Sequence, residues 1–444
     1  MLNFLKQKYS TLILDEGEQA GKPLSLRRNF SWNFAGNIVY AACQWGMLVV
    51  LAKLTSPEKV GLFALGLAVT APIFLFSQLQ LRGVQATDAR DEYQFGHYLG
   101  LRLITTVLAL AILCGVIGFS NYDRTTGLII LAVALSKAFE SVADVFYGLL
   151  QRHERMDRIA RSRMIKGPLA LCMLGGLVYT TGSVTAGVCG LAAAWGAVLV
   201  SYDLPNVGKT LRETSQTAGA TDTRCVVRPT FTLRPLLQLA WLALPLGLTL
   251  ALLSLKTNIP RYFIEHYLGA EELGYFAALS YLMIATGTIV SAMGQTCVPR
   301  LARYYAERQF AAFKKLLWKL IGIGGIVGSI GFIGAVLFGQ WLLSFVYSPD
   351  YASYSTIFSW LMLVNVIAIV VSFLGYAVTS ARRFKIQLPF AIVTCLVTLI
   401  VSYVFIPRGL MGGVLTLLIG NVVLLILYSI TIVHAMQTTA HRNP

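Results

Sequence analysis

The chain has 444 residues, of which 56% are hydrophobic and only 13% are charged, against about 25% charged residues in soluble domains. This composition excludes an ordinary soluble domain. The net charge of +16 is spread along the chain without a compact basic region, which argues against nucleic-acid binding. The seven cysteines include no Cys-x-x-Cys pair, so we expect neither a disulfide framework nor a metal site.

Twelve long apolar stretches follow one another along the chain. A helix that crosses a bilayer needs about 20 mainly apolar residues, so these stretches predict an all-α, polytopic membrane protein with twelve transmembrane helices. The predicted spans are residues 30–51, 60–81, 99–120, 126–150, 164–181, 184–205, 235–257, 272–298, 316–338, 355–379, 387–405 and 410–436.

The basic residues between these spans alternate. Of the 36 lysines and arginines, 29 lie in the two tails, in the even-numbered gaps or at the rims of these gaps. Because short loops rich in Lys and Arg stay on the cytoplasmic side, both termini are predicted to be cytoplasmic. The first span begins too late and is too long for a cleavable signal peptide.

The chain divides into two halves of six spans each. The longest polar gap, residues 206–232, predicts a cytoplasmic linker between an N-terminal bundle (30–205) and a C-terminal bundle (233–436), with cytoplasmic segments at 1–29 and 437–444. Residues 54–64 align with 267–277 at a constant shift of 213, and Glu, Gly, Phe and Ala recur at matching positions. Parallel repeats of this kind occur in transporters whose path lies between the halves.

The N-terminal part of the chain resembles the signature of the polysaccharide transport family. This family includes the O-antigen and capsule flippases of the multidrug/oligosaccharidyl-lipid/polysaccharide superfamily. The runs that carry the resemblance are RNFSWN at 28–33, GN at 36–37, LAKL at 51–54 and SPEKVG at 56–61.

The resemblance implies two six-helix bundles in a V around a central cavity. It also implies that alternating access moves a polyprenyl-pyrophosphate-linked oligosaccharide from the inner to the outer leaflet of the bacterial cytoplasmic (inner) membrane, for surface polysaccharide biosynthesis. The expected partners are that substrate, membrane lipid, and a polysaccharide polymerase and glycosyltransferases. No cofactor is expected apart from a coupling proton or sodium ion.

The sequence argues against ATP hydrolysis and against an enzyme. In a GxxxxGKS/T reading of the Gly208-Lys209-Thr210 run, the first glycine would fall on Asp203, so the phosphate-loop motif fails. The cytoplasmic gaps are also too short for a nucleotide-binding domain.

The fourth span carries Lys137, Glu140 and Asp144 on one helical face. Charges near the bilayer centre cost about 2.5–3.5 kcal/mol on insertion scales, so they usually face a partner or a wet cavity. In one interpretation Lys137 meets a pyrophosphate or acidic sugar, while Glu140 and Asp144 adjust its charge or bind the coupling cation. In the other, Lys137 and Glu140 form a structural pair that joins helices.

Polar residues also mark one face of the first span and the end of the second. The first-span stripe suits either sugar hydroxyls or hydrogen bonds between helices; it consists of Asn29, Asn33, Asn37, Tyr40 and Gln44. Gln78 and Arg82 are predicted to share a face at the cytoplasmic end of the second span. For Arg82 we favour an interfacial position, with the side chain extending to the membrane surface.

The seventh span contains a candidate hinge and two candidate cations. Pro245 interrupts the backbone hydrogen bonds of the helix and can produce a bend. Lys256 and Arg261 lie near the predicted outer end. They either draw an anionic headgroup outward or act as ordinary interfacial anchors, and we favour anchors.

Two other functions remain open from sequence. A drug or cation exporter of the same superfamily requires a cavity dominated by acidic or aromatic groups, whereas the charges within these spans are mixed and net basic. A membrane-embedded glycan polymerase or transferase usually has a large catalytic outer loop, and the predicted outer gaps are short.

Overall fold

The computed structural model describes residues 26–88, 92–120, 122–217, 227–381 and 386–441, and within these ranges the chain is helical with no strand. The helices are α1 (Leu26–Leu54), α2 (Pro57–Gln78), α3 (Leu81–Thr87), α4 (Phe95–Phe119), α5 (Arg124–Arg152), α6 (Met156–Thr181), α7 (Val184–Val198), α8 (Leu204–Thr217), α9 (Leu233–Leu268), α10 (Ala270–Ala306), α11 (Phe310–Val346), α12 (Ser355–Ser380), α13 (Gln387–Phe405) and α14 (Met411–His441). A π-helix, Leu199–Asp203, joins α7 to α8.

Each of the twelve predicted spans corresponds to one long helix, which confirms the predicted fold. In the described part of the chain, ten helical segments are long and apolar enough to cross a membrane. The other two long helices, α5 and α10, pack among them. The predicted 206–232 linker begins with α8, and residues 218–226 lie outside the described residues, as does most of the 1–29 segment.

The helices form two bundles that meet along α2. In the first bundle α1 packs on α6, α6 on α7, and α5 on α2, α4 and α7; in the second, α12 packs on α10, α11 and α14, and α13 on α9 and α14. The bundles are joined chiefly by α2, which packs against α9 and α10. A shared apolar core that includes Val60, Phe63, Leu273 and Phe276 fills the space between them near the predicted outer ends.

The closest approach between the bundles brings the two repeats together. A Cβ atom on Gly61 would lie 1.7 Å from the carbonyl oxygen of Ala270, and one on Gly274 would lie 1.9 Å from that of Pro57. Gly61 and Gly274 are equivalent under the 213-residue shift. Glycine is required at both positions because it allows two helix backbones to approach this closely.

The second predicted span ends earlier than expected. α2 ends at Gln78, and Leu79 and Gln80 then adopt left-handed backbone conformations with φ of 48° and 50°. The chain turns there, so Arg82 belongs to the separate short helix α3, which packs on α5. The sequence predicted that Gln78 and Arg82 share one helix face. This prediction is wrong, because the two residues lie on separate helices.

Candidate functional site

Lys137 and Glu140 lie inside the protein, next to α1 and α7. The Lys137 Nζ atom is 2.7 Å from Glu140 Oε2, and the Tyr40 hydroxyl donates to Glu140 Oε1 at 3.2 Å. Lys137 also lies over the Trp195 ring, 5.3 Å from its centroid. The two charged side chains remain 25% and 30% exposed, so the pair borders open space rather than a sealed core.

Asp144 is shared by two arginines. Its carboxylate lies 3.7 Å from Arg82 Nη1 and 3.2 Å from Arg102 Nη2. The Arg102 side chain is completely buried and also donates to Ser141 at 3.3 Å. Arg82 donates to Gln151 at 3.0 Å. The predicted interfacial position of Arg82 is therefore wrong, because the turn after α2 directs its side chain into the bundle.

Three cations surround the ring of Tyr147. The guanidinium carbons of Arg82 and Arg163 each lie 5.7 Å from the ring centroid, and Lys166 Nζ lies 5.2 Å from it. Lys166 also donates to the Tyr147 hydroxyl at 2.9 Å. Arg163 hydrogen-bonds to the Asn37 side chain. Such cation–π contacts stabilise closely spaced positive charges without neutralising them.

These residues form a site with excess positive charge, which we name the basic cluster. It contains five cations and three carboxylates among the described residues, an excess of two positive charges; its members are Arg82, Arg102, Lys137, Arg163, Lys166, Glu140, Asp144 and Asp203. Arg163 makes no ion pair in the described part of the chain, because its polar partner is the neutral Asn37. A site of this composition can bind an anion.

Sequence reasoning missed Arg102, Arg163, Lys166 and Asp203. The first three were counted with the cytoplasmic gaps because they lie next to the predicted span starts at 99 and 164, whereas α4 begins at Phe95 and α6 at Met156. The available signal was the helical spacing of Arg163 and Lys166, which lie three residues apart on α6 and can share one face.

The polar stripe of the first span faces α6 and α5. Asn37 donates to Asn33 at 3.4 Å, and Asn29 accepts the backbone N–H of Met156 at 3.3 Å. Gln44 lies beside the Tyr40 hydroxyl, farther along the same face. The stripe therefore makes hydrogen bonds between helices and also supports the basic cluster through Asn37 and Tyr40.

The two cations of α9 have different surroundings. Lys256 lies within the C-terminal bundle against Gly420 of α14 and close to Cys395 of α13. Arg261 donates to Asn258 at 3.1 Å and interacts electrostatically with Tyr281 of α10. Both side chains are half-buried and contact groups within the bundle, and the favoured anchor interpretation stays a prediction.

Tyr281 connects the two halves of the site. It interacts electrostatically with Lys137 of the N-terminal bundle as well as with Arg261 of the C-terminal bundle. The next residue after Arg261, Tyr262, donates its hydroxyl to the Ala68 carbonyl of α2 at 2.5 Å. Polar groups from both bundles therefore meet at their boundary.

Pro245 and Gln78 lie near the turn after α2. α9 continues through Pro245, and Thr249 donates its hydroxyl to the Pro245 carbonyl at 2.9 Å. Two residues later, Gly247 packs closely against Phe76 and Leu79. Gln78 is half-buried at the last position of α2. The hinge assigned to Pro245 stays a prediction.

A separate cavity of about 530 Å³ lies between α11 and α12, where its lining includes Gln340, Ser359 and Trp360. Its lining contains no charged side chain. We therefore do not assign an anionic ligand to this cavity.

Residues 26–305 match the family model described as polysaccharide biosynthesis protein. The capsular polysaccharide biosynthesis protein CapF of Staphylococcus aureus is 28% identical over 405 residues, which cover 90% of this chain and 98% of CapF.

Solved structures with a similar fold include transporters and a flippase. An inward-facing multidrug resistance MATE family transporter of the MOP superfamily has a TM-score of 0.72 at 15% identity, covering 90% of this chain and 96% of that one. The lipid II flippase MurJ in an inward closed conformation has a TM-score of 0.71 at 13% identity, covering 90% of this chain and 88% of that one. The chain is thus a multi-pass membrane protein with a MATE-like fold, and it belongs to the polysaccharide biosynthesis protein family.

Proposed function

We propose that this protein is a flippase that moves a polyprenyl-pyrophosphate-linked oligosaccharide from the inner to the outer leaflet of the bacterial cytoplasmic membrane. The observation that carries the proposal is the basic cluster, with its excess of two positive charges inside a membrane-spanning bundle. The same function is supported by membership of a polysaccharide biosynthesis family and by the fold shared with a lipid II flippase.

The physical need for the cluster comes from the pyrophosphate. Moving an anion from water into a low-dielectric interior is unfavourable by several kcal/mol, even after relaxation, unless opposite charges receive it. The lipid tail can remain in the bilayer, whereas the headgroup requires a polar and partly cationic path.

The partly exposed cations are the direct contacts in this proposal. The Lys137 side chain is 25% exposed and that of Arg82 is 23% exposed, while Arg163 is half-buried, so each can reach a bound headgroup. Arg102 and Lys166 are sealed within the bundle and act through their neighbours. Tyr281 and Arg261 then offer a second set of contacts on the C-terminal side.

The remaining parts of the proposal follow from this function. Both termini lie in the cytoplasm, glycosyltransferases supply the lipid-linked oligosaccharide there, and a polymerase consumes it on the other side. Alternating access between the two bundles moves the headgroup, with bending at Pro245, and a proton or sodium ion can couple to the cycle. Drug or cation export is less favoured because a net basic site repels organic cations.

The test uses purified protein in proteoliposomes containing a fluorescent polyprenyl-pyrophosphate oligosaccharide. A membrane-impermeant quencher measures how much label reaches the outer leaflet. We expect Lys137→Ala to slow this movement by about tenfold or more, since a hydrogen bond to a charged group contributes roughly 1.5–3 kcal/mol. The matched control is Lys319→Ala, which removes an exposed lysine at the start of α11.

Three results would overturn the proposal. The wild-type protein could leave the glycolipid in place and expel an organic cation along an ion gradient. It could lengthen the glycan without any partner, which would make it an enzyme. Finally, Lys137→Ala could flip at the wild-type rate, which would remove the basis of the site assignment.

A further inference from the structure

A buried acid with unmade hydrogen bonds lies behind the basic cluster. The Asp203 side chain is 1% exposed and that of Lys166 is 3% exposed, and Asp203 Oδ2 lies 3.7 Å from Lys166 Nζ. This separation exceeds the roughly 2.7–2.9 Å of a charge-assisted hydrogen bond. The polar groups of Ser162, Lys166 and Tyr147 face the carboxylate, but neither of its oxygens makes a hydrogen bond of ordinary length and angle with the described residues.

The groups around Asp203 leave its charge incompletely compensated. The Tyr147 hydroxyl of α5 is already engaged by Ser162 at 2.7 Å and by Lys166 at 2.9 Å. On its own element, Tyr202 faces the carboxylate from the adjacent position. The charged groups of α6 near Tyr202 are Asp157, Arg158 and Arg161, and Glu213 of α8 is bound to Arg158.

Two further features distinguish Asp203 from the acids considered from sequence. Glu140 accepts hydrogen bonds from Lys137 and Tyr40, and Asp144 accepts one from Arg102, so both are satisfied as carboxylates. Asp203 instead ends a π-helix, a form that occurs frequently at functional sites. A fully buried carboxylate with one distant cation is the type of acid that gains most from binding a proton.

We propose that Asp203 is a proton-binding site whose protonation releases the charge of Lys166 to the basic cluster. When Asp203 is neutral, Lys166 loses its carboxylate partner and keeps its contact with Tyr147, the ring it shares with Arg82 and Arg163. The net charge of the basic cluster then rises from +2 to +3. A proton and an anionic headgroup therefore bind cooperatively, and by linkage each increases the affinity for the other to the same degree.

Proton binding itself does not depend on the proposed function, whereas its effect on headgroup binding does. The first measurement is infrared difference spectroscopy of the purified protein in lipid nanodiscs without substrate, as the pH is lowered. We expect a band from a protonated, buried carboxyl group that disappears in Asp203→Asn and persists in Glu140→Gln and Asp144→Asn.

Asp203→Glu is the control for misfolding. It keeps a carboxyl group at this position, so a correctly folded variant should show the carboxyl band at a shifted frequency. The proton site is overturned if the band is absent from the wild-type protein or persists unchanged in Asp203→Asn.

The second measurement is the affinity for farnesyl pyrophosphate at two pH values. In the wild-type protein we expect the affinity to be roughly fivefold or more higher at the lower pH, which is the lower end of ordinary coupling. In Asp203→Asn the affinity should already be high at the upper pH and lose this dependence. Titration of the ligand itself affects both proteins equally, so it cancels in the comparison.

The two measurements test the proton site and the proposed function independently. A band that depends on Asp203 without any pyrophosphate binding leaves the proton site standing and contradicts the proposed function. Pyrophosphate binding with the same pH dependence in wild type and Asp203→Asn overturns the coupling.

Discussion

The two bundles share a helix plan, yet they treat charge differently. Among the described residues, the N-terminal bundle contains ion pairs around Glu140, Asp144 and Asp203, and a further set in which Arg155 and Arg158 pair with Asp157 and Glu213. In the described part of the C-terminal bundle, one ion pair is found, between the exposed side chains of Arg303 and Glu307 at the end of α10. The cations inside that bundle, Lys256 and Arg261, have neutral neighbours.

If the protein acts as proposed, this difference corresponds to a division of work between two similar halves. Under the proposed function, the N-terminal bundle binds the anionic headgroup and carries the proton. The C-terminal bundle supplies an apolar wall together with Arg261 and Tyr281, and Tyr281 interacts electrostatically with both Arg261 and Lys137. The two halves have kept one architecture while their chemistry has diverged.

The largest expected effect comes from removing the two half-buried arginines that flank Tyr147. We expect Arg82→Gln with Arg163→Gln to lower the initial flipping rate by about 100-fold or more, because each contact to a charged headgroup contributes roughly 1.5–3 kcal/mol. The proteoliposome assay measures this rate. The control is Lys314→Gln with Lys315→Gln, which removes the same charge from exposed positions in α11. Equal rates in the two double variants would show that the division between bundles has no role in binding.

Loss of a buried or half-buried cation should change the free energy of unfolding differently in the two bundles. Arg102→Met leaves Asp144 with the more distant Arg82 alone, and breaking a buried pair in this way costs about 3–5 kcal/mol. Lys256→Met removes a half-buried ammonium group that has no carboxylate beside it among the described residues, so we expect a neutral or stabilising effect. The free energy of unfolding, measured by detergent titration, tests both variants. A comparable loss in each would contradict the contrast.

Substitution of Gly61 or Gly274, where the two halves cross, should lower the free energy of unfolding by the same amount. Gly61→Ala and Gly274→Ala each force a methyl group against a backbone carbonyl, and such overpacking costs about 1–3 kcal/mol. The same unfolding measurement should give matching losses. Gly118→Ala is the control, because nothing lies within 4 Å of its added Cβ atom. Markedly unequal losses at positions 61 and 274 would break the proposed equivalence.

The smallest effect is expected at the start of α5. Asp123 accepts hydrogen bonds from the backbone N–H groups of Thr125 and Thr126 at 3.0 and 3.3 Å. Asp123→Ala should therefore cost about 1 kcal/mol, as for other helix caps. The hydrogen bond with Thr126 is the main cause that keeps the pKa of Asp123 below its usual value.

Because the folded-state pKa of Asp123 is lowered, the contribution of this cap is complete above the unfolded-state pKa. It is lost as the pH falls through the lower folded-state value. The difference in melting temperature between wild type and Asp123→Ala should therefore shrink in acid. A difference that stays constant down to acidic pH would argue against an ionised cap.

The fold could be predicted almost completely, but the site only in part. Ten helical segments of the described chain are long and apolar enough to cross a membrane, where the backbone must form a helix whatever its neighbours are. The face shared by Lys137, Glu140 and Asp144 followed from helical spacing alone. Arg163 and Lys166 were missed because a hydropathy pattern places the end of a span near the first charged residues. In the structure, ion pairs and cation–π contacts allow these charged side chains to be buried within the helix bundle.

Arg82 illustrates a second limit. Its inward direction depends on the left-handed conformations of Leu79 and Gln80, and neither residue type signals such a turn. Asp203 entered the sequence argument only as a mismatch in a phosphate-loop motif. Its importance depends on hydrogen bonds that are not made, which no one-dimensional pattern contains.

The crossing of Gly61 and Gly274 has a consequence for how this chain can evolve. Each glycine abuts main-chain atoms of the opposite half, so no side-chain replacement across the contact can make room for a larger residue. The contact is self-complementary, like the interface of a two-fold symmetric dimer. Larger residues are therefore disfavoured at both positions to the same degree, and the sequences of the two halves can diverge more freely away from this crossing than at it.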